Sequence, residues 1–267
     1  WIQPGEWGSF WKFAQRYADA GNHSGYGWEA KGITNEEELA SRLPWVMFRR
    51  AKADILGWLP AKTRQVIRID AADAAARMRA AEAEAVAARG RLTRDHILDI
   101  LRAAGSAKIQ AAVGIAGGHA DRTVAFVHLR DTGESLARAL KKAGIRSWLI
   151  HGGIPQTDRD AAIDEFRVSR SPAVLVSTYG VGGVGIDLSS ATVAIMVDLD
   201  YVPAAMLQAE DRVHRPGQAG PVSIYYLCVA GTVDEDGARM VADKLYQQAA
   251  ILGSDTERDG LQAVTDQ

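Results

Sequence analysis

Cysteine is almost absent: Cys228 is the only one among 267 residues. An internal disulfide is therefore excluded, and so is a thiolate cluster for zinc or iron–sulfur. A reducing interior fits this usage. A dominant charge of one sign is also lacking. The formal net charge is −2, which excludes a wholly basic nucleic-acid coat. Long apolar runs are missing. None approaches the roughly 18 residues of a membrane span, and no charged-then-apolar leader opens the chain. What is present is ordinary: 47% hydrophobic and 24% charged residues, a globular composition and not a disordered one. The length fits one large domain, or one domain with an appendage. The chain starts at Trp1 and is expected to be a piece of something longer.

Charge is unevenly spread. Residues 41–68 hold seven basic side chains (Arg42, Arg49, Arg50, Lys52, Lys62, Arg64, Arg68) against one acid, Asp54. Residues 229–267 hold eight acids and three bases. A local basic band on a neutral protein can track phosphates; the plainer alternative is a solvated helix face. Six of the seven tryptophans fall in the first 58 residues, and there the aromatics read as local core.

The periodicity predicts helices first. One follows Asn35, with three glutamates in its first turn. Pro44 is expected to interrupt it, and Pro60 to close the unit. Residues 71–90 contain eleven alanines, a strong helix signal. Further helical stretches start near Thr93 and run from Ala107 to Ile115. Residues 71–120 are thus expected to be helical, and 1–120 to form a helical module. From 121 short apolar runs alternate with amphipathic ones. Thr123–Val127, Trp148–Ile150, Ala173–Val176, Ala194–Val197 and Val222–Leu227 read as strands. The intervening helices imply crossovers, hence a doubly wound parallel α/β domain over 121–250. A loose acidic tail is expected over 251–267. In such sheets ligands bind beyond the carboxyl ends of strands, which points to the loops after Ser177, Asp198 and Leu227.

Two of those loops carry candidate chemistry. Ser177-Thr178-Tyr179-Gly180-Val181-Gly182-Gly183-Val184-Gly185-Ile186-Asp187-Leu188 has four glycines in six positions. Glycine lets backbone N–H groups approach an anion and permits positive φ. The hydroxyls of Ser177 and Thr178 can add phosphate bonds. Asp187 can take a ribose hydroxyl or hold a neighbouring arginine. A plain tight turn is the alternative reading. The second loop leads through Pro203, suited to a first helical turn, into Gln208-Ala209-Glu210-Asp211-Arg212-Val213-His214-Arg215-Pro216-Gly217-Gln218. Gln208, Arg212 and Arg215 stand at i, i+4 and i+7 and are expected on one face, with Pro216 ending the helix just after Arg215. Two guanidiniums one turn apart suit a polyphosphate. Ion pairing through Asp211 is the alternative. His214 reads as a packing or capping residue.

No Gly-x-x-x-x-Gly-Lys-Ser/Thr loop occurs anywhere in the chain, so the phosphate cradle of a nucleotide motor is missing. Asp164-Glu165 falls within a helix. Thr232-Val233-Asp234-Glu235 fits a capping box. Asp198 ends a strand but has no phosphate loop to serve.

These residues resemble the second motor lobe of SWI/SNF-type DNA translocases, in helicase superfamily two. Ser177–Leu188 is similar to that family's motif V and Gln208–Gln218 to its motif VI. Val124–His128 resembles motif IV, and His151-Gly152-Gly153 with Arg159 and Phe166 the block after it. Val222–Leu227 with Gly231–Glu235 resembles the closing strand and helix. Phe48-Arg49-Arg50-Ala51-Lys52 and Leu59-Pro60-Ala61-Lys62 resemble the Arg-Arg-x-Lys…Leu-Pro-x-Lys run between the lobes. Phe13, Arg16 and Tyr17, with the compact inter-lobe region, resemble the annealing-helicase branch. Asp187 stands where the family usually has Asn. The resemblance covers about 1–250.

The resemblance implies a RecA-like helicase C-terminal lobe in which Arg212 and Arg215 reach the γ-phosphate and Gln208 positions them. Gly183, Gly185 and Asp187 would form the nucleotide edge. Ser177, Thr178 and Arg159 would meet the backbone of double-stranded DNA. ATP with magnesium would be held mainly by the N-terminal RecA-like lobe of the same protein. No metal ligand is assigned to this chain, which alone is expected to be inactive. The compact form favours a bacterial or viral source and a cytoplasmic location, or a nuclear one in a eukaryote. The competing reading is a non-catalytic module that binds nucleic acid or protein and has lost the motor.

Overall fold

In the computed structural model, the described residues are 7–22, 28–30, 32–47, 55–87, 94–170, 172–182, 185–200 and 203–239. They fall into two units, one within Trp1–Gly57 and one within Trp58–Lys244.

The first unit contains α1 (Phe10–Tyr17), a two-residue antiparallel pair of β1 (Ala20–Gly21) and β2 (Glu29–Ala30), and α2 (Glu36–Val46). Ser9 caps α1 by accepting from Lys12 N at 3.2 Å, satisfying an orphan donor of the first turn. Glu38 joins the helices, accepting from Arg16 Nε at 2.9 Å and from the Tyr17 hydroxyl at 2.7 Å. Pro44 does not interrupt α2, which continues to Val46. Asn35 precedes that helix with φ +53° and no capping bond; its amide donates to the Arg16 carbonyl at 2.7 Å instead.

The second unit is a six-stranded, all-parallel sheet in the order β3-β8-β7-β4-β6-β5. Its elements are β3 (Lys62–Ile69), α3 (Ala72–Ala87), α4 (Arg94–Gly118), β4 (Arg122–Val127), α5 (Arg130–Lys142), β5 (Arg146–Ile150), α6 (Gln156–Val168), β6 (Ala173–Thr178), α7 (Tyr179–Gly182), β7 (Val193–Met196), α8 (Pro203–Val213) and β8 (Val222–Val229). The five strands expected from the sequence are all present. The central ones are buried on both faces, as continuous apolar runs require. Val127, Val176 and Ile195 pack with Ala112, Ala116, Leu136 and Leu140 of α4 and α5. On the opposite face Trp148 meets Phe166 of α6 and Tyr226 reaches α8. Helices therefore cover both faces, as expected for a doubly wound sheet.

The expected boundary at 120/121 falls inside this unit. Lys62–Ile69 is an edge strand paired in parallel with Val222–Val229. The helix over 94–118 is continuous and not two pieces. Ile100, Ala104, Lys108, Ala112 and Ala116 are all buried, a strict i, i+4 stripe whose small residues let the helix approach the sheet. Gly105 sits at the closest approach: a Cβ there would lie 2.5 Å from Thr132 Oγ1 and 2.9 Å from Asp198 Oδ1. The tail expected over 251–267 lies outside the described residues.

Candidate functional site

All six parallel strands deliver their carboxyl ends to one edge of the sheet, and a buried acid gathers three of the loops that leave them. Asp198 is almost fully buried. Its Oδ2 accepts from His128 N at 2.9 Å, and its carbonyl accepts from the Tyr179 hydroxyl at 2.7 Å. Tyr179 stacks on Phe126 at 5.8 Å. Burial pushes the Asp198 carboxyl above its ordinary range, against Lys108 and the backbone bonds.

The glycine-rich loop follows β6. Ser177 is fully buried and its hydroxyl donates to the Thr178 carbonyl at 3.1 Å. It therefore presents no hydroxyl to a ligand, which revises its expected phosphate contact. Thr178 is half-buried at the strand end. Tyr179–Gly182 makes a single helical turn. Gly183 lies outside the described residues. Gly185 is exposed with φ +70°, a conformation that favours glycine. Arg167 of α6 donates from Nη2 to the Asp187 carbonyl at 3.0 Å. The Asp187 carboxylate accepts from Ser189 N at 3.0 Å. Partial burial pushes this carboxyl up; bonds from Ser189 and the nearby Arg215 and Arg167 outweigh it and hold the group below its ordinary range.

The arginine helix is α8. Gln208 is exposed on it and Arg212 half-buried one turn later. Arg215 is not on the helix, which ends at Val213. His214 N makes the last bond of the helical type, to Glu210 O at 2.8 Å. The proline at 216 disfavours helical backbone at the residue before it, so the chain turns at Arg215, and Gln218 N closes that turn on the Arg215 carbonyl at 3.0 Å. The turn brings Arg215 Nε to 3.9 Å from Asp187 Oδ1. Asp187 thus has an arginine within a long contact. Leu188 N donates to the Arg212 carbonyl at 3.0 Å. The two motifs are neighbours, joined through the Arg212 backbone carbonyl and the Arg215 side chain.

The described basic residues of the band over 41–68 are each paired with an acid. Lys62 and Arg64 both bond the buried Glu210 carboxylate of α8. Arg68 pairs with Glu235 at 3.0 Å and Arg42 with Glu38 at 3.2 Å. Arg49, Arg50 and Lys52 lie outside the described residues. His214 is buried and packs as expected, its Nε2 2.8 Å from the Pro60 carbonyl oxygen.

Sequence reasoning missed a second buried pair. Lys108 Nζ lies 2.7 Å from Asp234 Oδ2, and Asp234 also accepts from Val229 N at 2.8 Å. The signal was available: Lys108 occupies the middle of the apolar i, i+4 stripe of α4. Arg159 on α6 is half-buried and donates to Gln156; it is not brought to the arginine pair. Between α6 and the glycine loop lies a groove of about 520 Å³ lined by Gln156, Asp160, Ile163, Asp164, Arg167, Gly185 and Ile186. Among the described residues no group of three His, Cys, Asp or Glu could hold a metal ion, and no helix is long and apolar enough to cross a membrane.

Residues 106–217 match the helicase conserved C-terminal domain. The chain is 32% identical over 264 residues to the SWI/SNF-related matrix-associated actin-dependent regulator of chromatin subfamily A-like protein 1 homolog of Caenorhabditis elegans, covering 94% of this chain and 38% of that one. It is 27% identical over 283 residues to the DNA annealing helicase and endonuclease ZRANB3 of Mus musculus, covering 98% of this chain and 26% of that one. The chain thus spans well under half the length of these relatives. Both are animal proteins, and the bacterial or viral source expected from the compact form finds no support in them. The fold is similar to the crystal structure of the C-terminal part of the Fun30 ATPase domain, with TM-score 0.60 and 15% identity over 78% of this chain and 99% of that one.

Proposed function

We propose that this chain, the C-terminal helicase lobe of a SWI/SNF-type helicase-like protein, is the arginine-donating half of an ATP-driven translocase on double-stranded DNA. One observation carries the reading: the arginine helix and the turn after it are joined to the end of the glycine loop, where, among the described residues, Arg215 makes one long contact, to Asp187. A guanidinium offers five donors in a fixed fork, and one contact of 3.9 Å leaves that fork able to receive an anion. The residues therefore fit a polyphosphate.

ATP with magnesium supplies the phosphoryl group to be transferred, and a first lobe outside this chain would hold the metal and most phosphates. Within this chain, Arg212 and Arg215 would neutralise charge on the terminal phosphate, an effect on the order of 10³–10⁵ in rate for arginine fingers. Gln208 would position them. Gly183 and Gly185 would let backbone N–H groups approach the nucleotide, and Asp187 would steady Arg215. Thr178 and Arg159 would meet DNA phosphates without reading sequence, with Ser177 bracing Thr178 from below. Such a lobe works where duplex DNA is, the nucleus of a eukaryote or the cytoplasm of a bacterium.

The test is steady-state phosphate release with and without duplex DNA. This chain alone should show background turnover. In the complete polypeptide, Arg212→Ala and Arg215→Ala should each abolish turnover and leave DNA affinity nearly unchanged. Arg215→Lys should fail nearly as badly, because a point charge cannot reproduce the planar fork. Normal turnover by Arg215→Ala would remove the arginine assignment and favour a non-catalytic binding module.

A further inference from the structure

Beneath the arginine helix lies a buried charged cluster that the chemistry above does not use. Glu210 has no exposed surface and sits two residues before Arg212. Its Oε1 accepts from Arg64 Nε at 2.8 Å, and its Oε2 from Arg64 Nη2 at 2.6 Å and Lys62 Nζ at 2.8 Å. The Tyr226 hydroxyl donates to the same carboxylate. One helical turn later, His214 Nε2 approaches the Pro60 carbonyl oxygen at 2.8 Å. A carbonyl only accepts, so this nitrogen carries the proton. The donors and the acceptor belong to residues 60–64 and to β8, the strand paired with β3.

Stability does not account for this cluster. A buried ion pair is often no better than well-packed apolar residues of similar volume, and an apolar side chain at 210 could fill the same space. What the cluster supplies is geometry. The Arg64 fork contacts both carboxylate oxygens, which fixes the orientation of the carboxylate as well as its position. Lys62 fixes one oxygen from a second direction. Residue 210 is thereby fixed in both rotation about the helix axis and height above the sheet. Arg212 and the turn bearing Arg215 follow within five residues.

We propose that Lys62 and Arg64, acting through Glu210, are positioning residues for Arg212 and Arg215. The segment over 60–64 acts as a strap that sets the rotation of α8, and so the place at which the two guanidiniums emerge. This rests on the reading of the arginines as phosphate contacts. Neither strap residue is given a ligand contact in that reading.

The test measures ATP turnover in the complete polypeptide, well below the Tm of every variant. Arg64→Lys keeps the charge and loses the fork. It should lower kcat by up to about 100-fold, the loss expected for a misplacement of about 1 Å, while KM for ATP and DNA affinity stay within about twofold. Lys62→Met leaves the Arg64 fork in place and so keeps the fold; it should lower kcat severalfold. Single-turnover rates then separate positioning from general damage. Arg64→Lys added to Arg215→Lys should cost less than it does alone, because it acts through the group already altered. A merely structural role would multiply the losses and overturn the proposal. Normal turnover by Arg64→Lys and Lys62→Met beside a failed Arg215→Lys would sink the strap alone. Normal turnover by Arg215→Lys would sink the arginine reading, and the strap with it.

Discussion

Arg215 Nε stands 3.9 Å from Asp187 Oδ1, joining the turn after the arginine helix to the end of the glycine loop. Both side chains are partly exposed, at 35% and 47%. The contact is too long and too wet to hold the fold together, and its effect is on where the guanidinium points. Arg167 holds the Asp187 backbone from the other side, through the carbonyl. The carboxylate is thus a fixed object against which Arg215 rests.

Asp187→Ala should separate aim from stability. An exposed pair contributes about 0–1 kcal/mol, so thermal unfolding should barely move. Turnover in the complete polypeptide should fall, by less than Arg215→Ala causes. A large drop in Tm with unchanged turnover would show that Asp187 serves the fold instead.

Much of the fold was legible because its strands are short apolar runs separated by amphipathic helices. Lys62–Ile69 was not, for a physical reason. It lies on the sheet edge, alternates exposed with half-buried positions, and carries Lys62, Arg64 and Arg68, so it reads as charge and not as strand. Its partner, Val222–Val229, is remote in sequence, and no local pattern announces that pairing. The site shows the same division. Gln208 and Arg212 follow from helical spacing, whereas Arg215 leaves the helix because of a proline whose effect reaches back one residue. Ser177 looked available as a hydroxyl, and only the structure shows it buried. Asp234 looked like a cap residue and Glu210 drew no reading of its own, because their basic partners come from distant elements.

The buried pair of Lys108 and Asp234 gives a stability prediction. Lys108→Met leaves the buried Asp234 carboxylate with the Val229 backbone bond, beside the buried Asp198. Breaking a buried pair from one side costs about 3–5 kcal/mol, and chemical denaturation should show a loss of that size. Lys108→Met with Asp234→Leu should recover much of it, since the stranded charge is then gone. A double variant no better than the single would mean that the pair itself, and not the stranded acid, sets the cost.

Glu38 gives a pH dependence confined to the first unit. Bonds from Arg16 and Tyr17 hold its carboxyl at about 2, down from 4.5. A depressed carboxylate contributes stability above its unfolded value, and that contribution is lost as pH falls through the folded value. The unit should therefore loosen between pH 4.5 and about 2. Trp7, with the Arg42 guanidinium 4.6 Å from its ring centre, is a native reporter. Its fluorescence should change across that window, and Glu38→Gln should flatten the change. A transition centred above pH 6 would belong to another group.

Cys228 should be inert while the protein is folded. Burial pushes its thiol up to about 11, and Sγ faces the Ile67 carbonyl at 3.9 Å. At pH 8 the thiolate is about one part in a thousand, and the thiolate is the reactive form. Iodoacetamide should label the native chain far more slowly than the urea-unfolded one. Equal rates would mean that β3 does not cover the thiol in solution.

Binding to duplex DNA should be weak, independent of sequence and shallow in salt. Of the basic band that first pointed to phosphates, Lys62 and Arg64 are expected to contribute little, because they are bound to the buried Glu210. The contacts proposed on this lobe are Thr178 and Arg159. Each cation that neutralises a phosphate adds about −0.9 to the log–log salt slope. Arg159→Ala should thus flatten the slope by about one contact, whereas Thr178→Ala, which removes no charge, should weaken binding without changing it. Ser177→Ala should do neither, since its hydroxyl is buried. Fluorescence anisotropy of a labelled duplex at several salt concentrations reads all three. A steep slope that survives Arg159→Ala would place the phosphate contacts elsewhere on the chain, and tight binding to one sequence would contradict backbone tracking altogether.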